Sequence, residues 1–497
     1  MGQMGTDALV TGLAIIGIVI IVSALLSGLV DKSGLPQVAV FIFIGAALGP
    51  AGFGVFDMKL DSPVLRVVAT LSLTLVLFTD AVTLNIKEVR RYSGLAFRML
   101  GPGTIFCAAL TALAAWWLLG VGPALATILG AALASTDPVL LRSLLKRTDI
   151  PSEVRLALRL ESGLNDVVLL PIVALAMALI LRHDPETGSS LAKMGFGLFI
   201  LGPGAGIAIG LIAVSALDLL RKRVGIRRDY ESLYSLGVAF TAYAAAEAVH
   251  GSGFLAAFAA GITIAALDVE LCDCFVEYGG VTAEMLLLFT FVIFGSSLIW
   301  TGFQGLDIRT VIFAAFAILI RVPVYLISLI GSHVDMRGRM VIAWYGPSGL
   351  SSLLLILLPV FAGIPGSDHL FRVSCLIVLI SIILHGATPT LLARLCKHKE
   401  EETPELVPEP APAIRSLPVI ESESKESVGT QSITLEEFEQ LQKSGENVIL
   451  LDVRTERSRE PSGSQAKGSV RIVPEGVVAQ ANKTKLPKDA WLIAYCA

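Results

Sequence analysis

Charge is scarce in this chain. Only 16% of its 497 residues are Asp, Glu, Lys or Arg, against 54% hydrophobic, and the mean hydropathy of +0.75 excludes an ordinary soluble protein, in which about 25% of residues are charged. Cysteine is scarce too. The six present are scattered through apolar runs, loops and tail, which excludes a disulfide framework and a paired zinc-ligand spacing. Cys272-x-Cys274 has no histidine beside it and reads as two loop thiols. The formal net charge of -4 mixes a basic first part with an acidic tail, so no nucleic-acid partner is expected. No basic region or small-residue cleavage site accompanies the first apolar stretch, and residues 8–30 are therefore expected to be a retained span, not a cleaved signal.

Long apolar runs are what the chain does have. Windows of about 20 apolar residues give about thirteen candidate spans, centred near residues 18, 43, 74, 106, 132, 170, 205, 240, 260, 292, 319, 350 and 382. The expected fold is an all-α polytopic membrane protein over residues 1–396. Basic residues collect after alternate spans: Lys87, Arg90, Arg91 and Arg98; Arg142, Lys146, Arg147 and Arg155; Arg221 to Arg228; Arg337 and Arg339. The positive-inside rule puts these connections in the cytoplasm, with the N-terminus outside and the C-terminus inside a bacterial inner membrane. Asp268 to Glu284, read as a loop, dissents because it is acidic.

After Lys397 the composition turns to Glu, Pro and Ser, and residues 397–431 read as a disordered linker. Residues 432–497 carry a small α/β pattern. Thr434 and Glu437 fit a capping box, and Asn447 to Val453, Val470 to Val473 and Trp491 to Tyr495 read as short buried strands.

Within the spans, Pro138, Pro171, Pro323 and Pro347 each remove a backbone donor. The most disruptive surroundings are Thr136-Asp137-Pro138 and Gly346-Pro347-Ser348-Gly349, seven spans apart. Two broken helices so placed fit a transporter of inverted repeats with its site at the midplane.

Carboxylates mark that site. A charge at the bilayer centre costs about 2.5 to 3.5 kcal/mol on insertion scales, so Glu161 and Asp166 in one span and Asp137 in the previous one are candidate ion or proton sites. Thr136, Ser162 and Asn165 add neutral oxygens, and hard oxygen donors suit an alkali cation. Ser162 and Asp166 share a helix face, whereas Glu161 lies about 140° round from Asp166. Glu161 is expected to hold the neighbouring broken helix or to pair with Arg321, which sits in an apolar run of its own. A carboxylate open to either a proton or a cation, never both, makes an exchanger.

ASTDPV at Ala134 to Val139, ESGLNDVV at Glu161 to Val168, Arg321, and GSGFLAAFAAGITIA at Gly251 to Ala265 together resemble the electroneutral monovalent cation/proton antiporters of the NhaP and sodium/hydrogen exchanger type, over roughly residues 8–396. The resemblance implies a homodimer, a core domain moving against a dimerisation domain, a cation site at Thr136, Asp137, Glu161, Ser162 and Asp166, and a structural role for Arg321. Asn165-Asp166 matches the electroneutral members; electrogenic ones carry two adjacent Asp. Many members have a basic residue in the second break where this chain has Ser348. In the tail, ILLDVRTERSRE at Ile449 to Glu460, with Asp452 and Arg454, is similar to rhodanese-like domains, and Cys496 stands where that family places its active-site loop. The stretch from Gln465 to Val470 departs from the family pattern, and a truncated module without sulfurtransferase activity is expected.

Other polar residues read more plainly. Glu247 and His250 face a loop, Asp80 and Asp218 sit at span ends, Arg221 to Arg228 set topology and touch anionic lipid, and His183, His333 and His369 lie in or beside loops. The expectation is a transporter, not an enzyme, exchanging sodium or lithium for protons without net charge movement at one competitive site. It has no cofactor beyond the transported ions, and its partners are sodium, protons, lipid and a second copy. The alternatives are potassium/proton exchange, or a tail that senses redox or sulfur metabolites through an unknown ligand. A passive channel is disfavoured by the buried carboxylates.

Overall fold

A computed structural model describes residues 17, 21, 25, 37–55, 57–84, 86–145, 150–181, 195–223, 228–267, 273–304, 306–400, 448–453, 466, 469–471 and 491–495. The first span apart from three positions, His183, Cys272, the Thr434–Glu437 pair, Arg454, Cys496 and residues 401–431 lie outside the described residues.

The chain divides into two compact units, Met1–Thr403 and Pro404–Ala497. The first is entirely helical where described. In chain order its main helices are α1 (Gln37–Leu48), α2 (Pro63–Thr83), α3 (Ser93–Leu119), α4 (Pro123–Ala134), α5 (Pro138–Leu145), α6 (Ser152–Leu181), α7 (Gly202–Arg223), α8 (Arg228–Ala248), α9 (Gly253–Ala266), α10 (Asp273–Ile293), α11 (Ile308–Ser328), α12 (Met336–Trp344), α13 (Leu350–Phe361) and α14 (Ser367–Glu400), with shorter helical pieces such as Ile86–Arg91 and Ile299–Phe303 between them. Among the described residues, eight segments are long and apolar enough to cross a membrane, and α1, α9 and α13 are shorter apolar helices. The expectation of thirteen spans thus stands at eight clear ones.

Helix ends follow from local chemistry. Proline opens α2, α4 and α5 at their first turn, where a missing N–H costs nothing. Asp307 and Asp335 cap α11 and α12, accepting from Thr310 N–H at 2.7 Å and Gly338 N–H at 3.0 Å; that bond holds the Asp307 carboxyl below the usual carboxylate range.

Two readings are corrected. The acidic segment from Asp268 is not a loop throughout, because Asp273 to Glu284 already belongs to α10; an apolar continuation lets the helix begin well before the run itself. The segment assigned to a linker from residue 397 is still helical as far as Glu400.

The main core draws chiefly on α1, α2, α4, α6, α9, α10, α13 and α14, with Phe41, Leu129, Phe291, Leu353 and Phe371 fully buried and smaller contributions from other helices. A smaller cluster, including Met99, Leu141, Leu158, Tyr325 and Ile342, joins α3, α5, α6, α11 and α12. α6 threads both, which places its polar residues between them.

The second unit holds a parallel sheet of three strands, β1 (Val448–Asp452), β2 (Val470–Arg471) and β3 (Trp491–Tyr495), in the order β2-β1-β3. Leu451 pairs with Val470 on one side and Ala494 on the other, and Asp452 is buried. Parallel neighbours need crossover connections, as in α/β domains.

Candidate functional site

Two helices break inside the first unit and meet at their breaks. α4 stops at Ala134 and α5 begins at Pro138; α12 stops at Trp344 and α13 begins at Leu350. Backbone groups left open in a dry interior must find partners, and each break supplies them to the other. Asp137 N–H donates to Pro347 O at 2.9 Å. Asp137 Oδ1 accepts from Val139 N–H at 2.8 Å and Oδ2 from Leu350 N–H at 2.7 Å, so one carboxylate caps the positive ends of two half-helices. On the carbonyl side, Ser348 Oγ donates to Leu133 O at 3.0 Å and Ser352 Oγ to Ser135 O at 3.2 Å. Side chains at Gly346 and Gly349 would collide with the Arg321 guanidinium and the Asp137 carboxylate. Glycine is required there because polar groups press directly against the backbone.

α6 passes this crossing unbroken, with Pro171 inside it. Its face toward the crossing carries Asn165 and Asp166, 0% and 5% exposed. Asp166 Oδ1 accepts from Ser135 Oγ at 2.5 Å, and Asn165 Nδ2 donates to Thr136 Oγ1 at 2.7 Å. Asn165 Oδ1 is buried without a hydrogen-bond partner. An unsatisfied acceptor beside a carboxylate is a place for a cation or a water.

Glu161, one turn earlier on α6 and turned away from Asp166, meets Arg321 in a two-pronged ion pair at 2.7 Å for each prong. Tyr325 O–H donates to Glu161 Oε1 at 2.8 Å and joins Thr104 of α3 at 3.1 Å. The guanidinium also lies 3.9 Å from the Tyr325 ring centroid and donates to Ile342 O at 3.2 Å, near the carbonyl end of α12. A cation there suits the negative end of a half-helix.

The structure therefore brings Asp166, Asn165 and Thr136 together with Ser135, and Glu161 together with Arg321. Asp137 lies at the crossing between the breaks, and the Ser162 hydroxyl turns to Arg159 O of its own helix at 3.3 Å. Glu247 Oε1 accepts from Gly253 N–H at 3.0 Å, at the start of α9. No cluster of three or more His, Cys, Asp or Glu that could hold a metal ion is found among the described residues.

Sequence reasoning missed two residues here, Ser135 and Tyr325, and a third, His385, near Arg321 but outside the exchange site. Ser135 adjoins Thr136 and Asp137, and a hydroxyl beside a helix break is a signal in itself. Tyr325 follows Arg321 by four positions and so shares its helix face. His385 lies in the apolar run CLIVLISIILHG, and a titratable residue in such a run is a candidate by default.

A family model described as "Sodium/hydrogen exchanger, transmembrane" matches residues 18–395. The chain is 28% identical over 411 residues to the K(+)/H(+) antiporter NhaP2 of Shewanella sp. (strain ANA-3), covering 80% of this chain and 67% of that protein. It is 25% identical over 437 residues to the K(+)/H(+) antiporter NhaP of Alkalimonas amylolytica, covering 86% and 73%. Among solved structures, the sodium proton antiporter MjNhaP1 from Methanocaldococcus jannaschii at pH 8 is similar in fold, with a TM-score of 0.63 at 18% identity over 78% of this chain and 99% of that one.

Proposed function

The chain belongs to the sodium/hydrogen exchanger family of cation/proton antiporters, and from that premise we propose that it exchanges an alkali cation for protons at Asp166. The observation that carries this is the pairing of a buried carboxylate with an unsatisfied amide oxygen, Asn165 Oδ1, on one face of α6 beside two helix breaks. When Asp166 is ionised, its free oxygen, Asn165 Oδ1 and the hydroxyls of Ser135 and Thr136 make a hard-oxygen site for a monovalent ion. When a proton arrives, the charge that held the cation is gone. The site carries one or the other on each excursion, and alternating access follows if the crossing moves as one body against the rest. Asp137 suits that movement, since it ties both half-helix ends together. Asn165 adds an oxygen without adding charge, so exchange is electroneutral, and a sodium-driven current on a solid-supported membrane would contradict this.

Sodium or lithium is the first reading for the ion, in keeping with the hard-oxygen donor set. Potassium is the second reading, favoured by the Shewanella and Alkalimonas relatives, which are named potassium/proton antiporters. The test is pH change inside proteoliposomes under a clamped membrane potential, with sodium, lithium and potassium added in turn. Sodium- or lithium-driven proton movement supports the first reading, potassium-driven movement alone supports the second, and no movement with any of them sinks both. We further propose a bacterial inner-membrane protein with its C-terminal unit in the cytoplasm, a reading that the basic connections support, a homodimeric assembly, and a rhodanese-like regulatory module that includes the parallel sheet.

A further inference from the structure

The carbonyl end of α12 is held by a residue outside the exchange site. His385 of α14 is 8% exposed, and both of its ring nitrogens face oxygen. Nε2 is 3.1 Å from Trp344 O, the last carbonyl of α12, while Nδ1 is 3.0 Å from Ser381 O and 3.2 Å from Ser381 Oγ. A carbonyl only accepts, so the Trp344 contact requires a proton on Nε2. In the neutral ring Nδ1 then accepts from the Ser381 hydroxyl. In the charged ring Nδ1 donates to the Ser381 carbonyl and the hydroxyl turns aside. Either state keeps two hydrogen bonds without moving the ring.

What changes is the charge beside Arg321. His385 shares an internal chamber of about 20 Å³ with Arg321, Cys107, Thr111, Ser348 and Ser381, enough for one water. Arg321 Nε is buried without a hydrogen-bond partner and lies against Gly346, which also lines the chamber, so the chamber has a donor ready for that water. The titratable or charged groups facing it are Arg321 from α11 and Cys107 from α3; the break between α12 and α13 contributes Gly346 and Ser348, both neutral, and Glu161, outside the lining, is paired with Arg321. A proton on His385 therefore sets a second positive charge near the first, while strengthening its hold on the negative end of α12.

We propose that His385 is a positioning residue that clamps the carbonyl end of α12 and, by taking up a proton, makes the setting of the second helix break depend on pH. Its bearing on transport rests on the exchange reading above; the clamp itself does not. Trp344 offers a readout free of transport, because its ring centroid lies 5.6 Å from that of His385 and a protonated imidazole quenches a neighbouring indole more than a neutral one does. In the full chain with Trp116, Trp117, Trp300 and Trp491 replaced by Phe, Trp344 emission should fall in one step as pH is lowered. His385→Gln should abolish the step. Ser381→Ala removes the hydroxyl that serves the neutral ring and leaves the carbonyl that serves the charged one, so the step should move to higher pH.

Emission independent of pH, a step that survives His385→Gln, or a step unmoved by Ser381→Ala would overturn the clamp. In proteoliposomes the acid limb of the exchange profile should move to higher pH in Ser381→Ala and be missing in His385→Gln, whatever the plateau rate of that variant. Exchange profiles that superimpose on wild type in both variants would overturn the coupling to transport. A wild-type chain that shows the emission step but exchanges no cation would instead sink the exchange reading and leave the clamp standing.

Discussion

Around Asp137 both carboxylate oxygens accept backbone N–H groups from two half-helix ends, whereas around Asp166 the hydrogen bond is a single side-chain hydroxyl, that of Ser135. The two residues are alike in type and burial, yet the first has both oxygens taken by backbone donors and the second, which we propose to be the titrating group, has a single hydroxyl on one oxygen. The difference lies in the backbone. α4/α5 and α12/α13 break and turn their free N–H groups on Asp137, while α6 runs on through Pro171 as an unbroken helix, and Asp166 takes the side-chain hydroxyl of Ser135 from the first break. Proline alone does not set where a membrane helix stops. At Pro138 and Pro347 the freed groups have partners across the crossing, and at Pro347 two glycines let Arg321 and Asp137 approach the chain.

That contrast is broken most severely by unbalancing the charges that flank it. Arg321→Met leaves Glu161 buried without its two-pronged partner and should cost about 3 to 5 kcal/mol, read as a large drop in thermal unfolding temperature in detergent; adding Glu161→Gln should restore part of it. Equal stability of wild type and the single variant would mean the pair is not holding α6 to α11. Next in size, Asp137→Asn keeps one acceptor for two half-helix ends and should cost about 1 to 3 kcal/mol. A variant as stable as wild type would remove the capping account. Smallest, Ser348→Ala deletes one hydroxyl contact to Leu133 O and should cost about 1 kcal/mol, read as a shift of about 1 °C in unfolding temperature for a unit of this size. A loss as large as that of Arg321→Met would show that the Ser348 contact had been underrated.

Much of this was legible in the sequence, for reasons that differ from element to element. Both breaks were marked by proline beside glycine or aspartate, and α6 was marked by carboxylates in an apolar run. The start of α10 was not, because acidic residues at a span end look the same in a loop and in a helix that projects from it. The capping role of Asp137 was hidden for a deeper reason: it depends on Leu350, 213 residues away, and no local pattern announces which helix end a carboxylate will meet. Ser135 was within reach, since a hydroxyl beside the break had only the facing carboxylate to serve. His385 was passed over although it is a titratable residue in an apolar run, and its partner Trp344 lies 41 positions earlier in the chain.

The central claim is that Asp166 alone carries the exchanged charge. Proton movement driven by sodium, lithium and potassium in proteoliposomes, wild type beside Asp166→Asn, tests it directly, since the amide keeps the size and the Ser135 contact but neither titrates nor balances a cation. The account predicts exchange in wild type and none above background in Asp166→Asn, with unfolding temperature held close to wild type. Full exchange in the variant would contradict it.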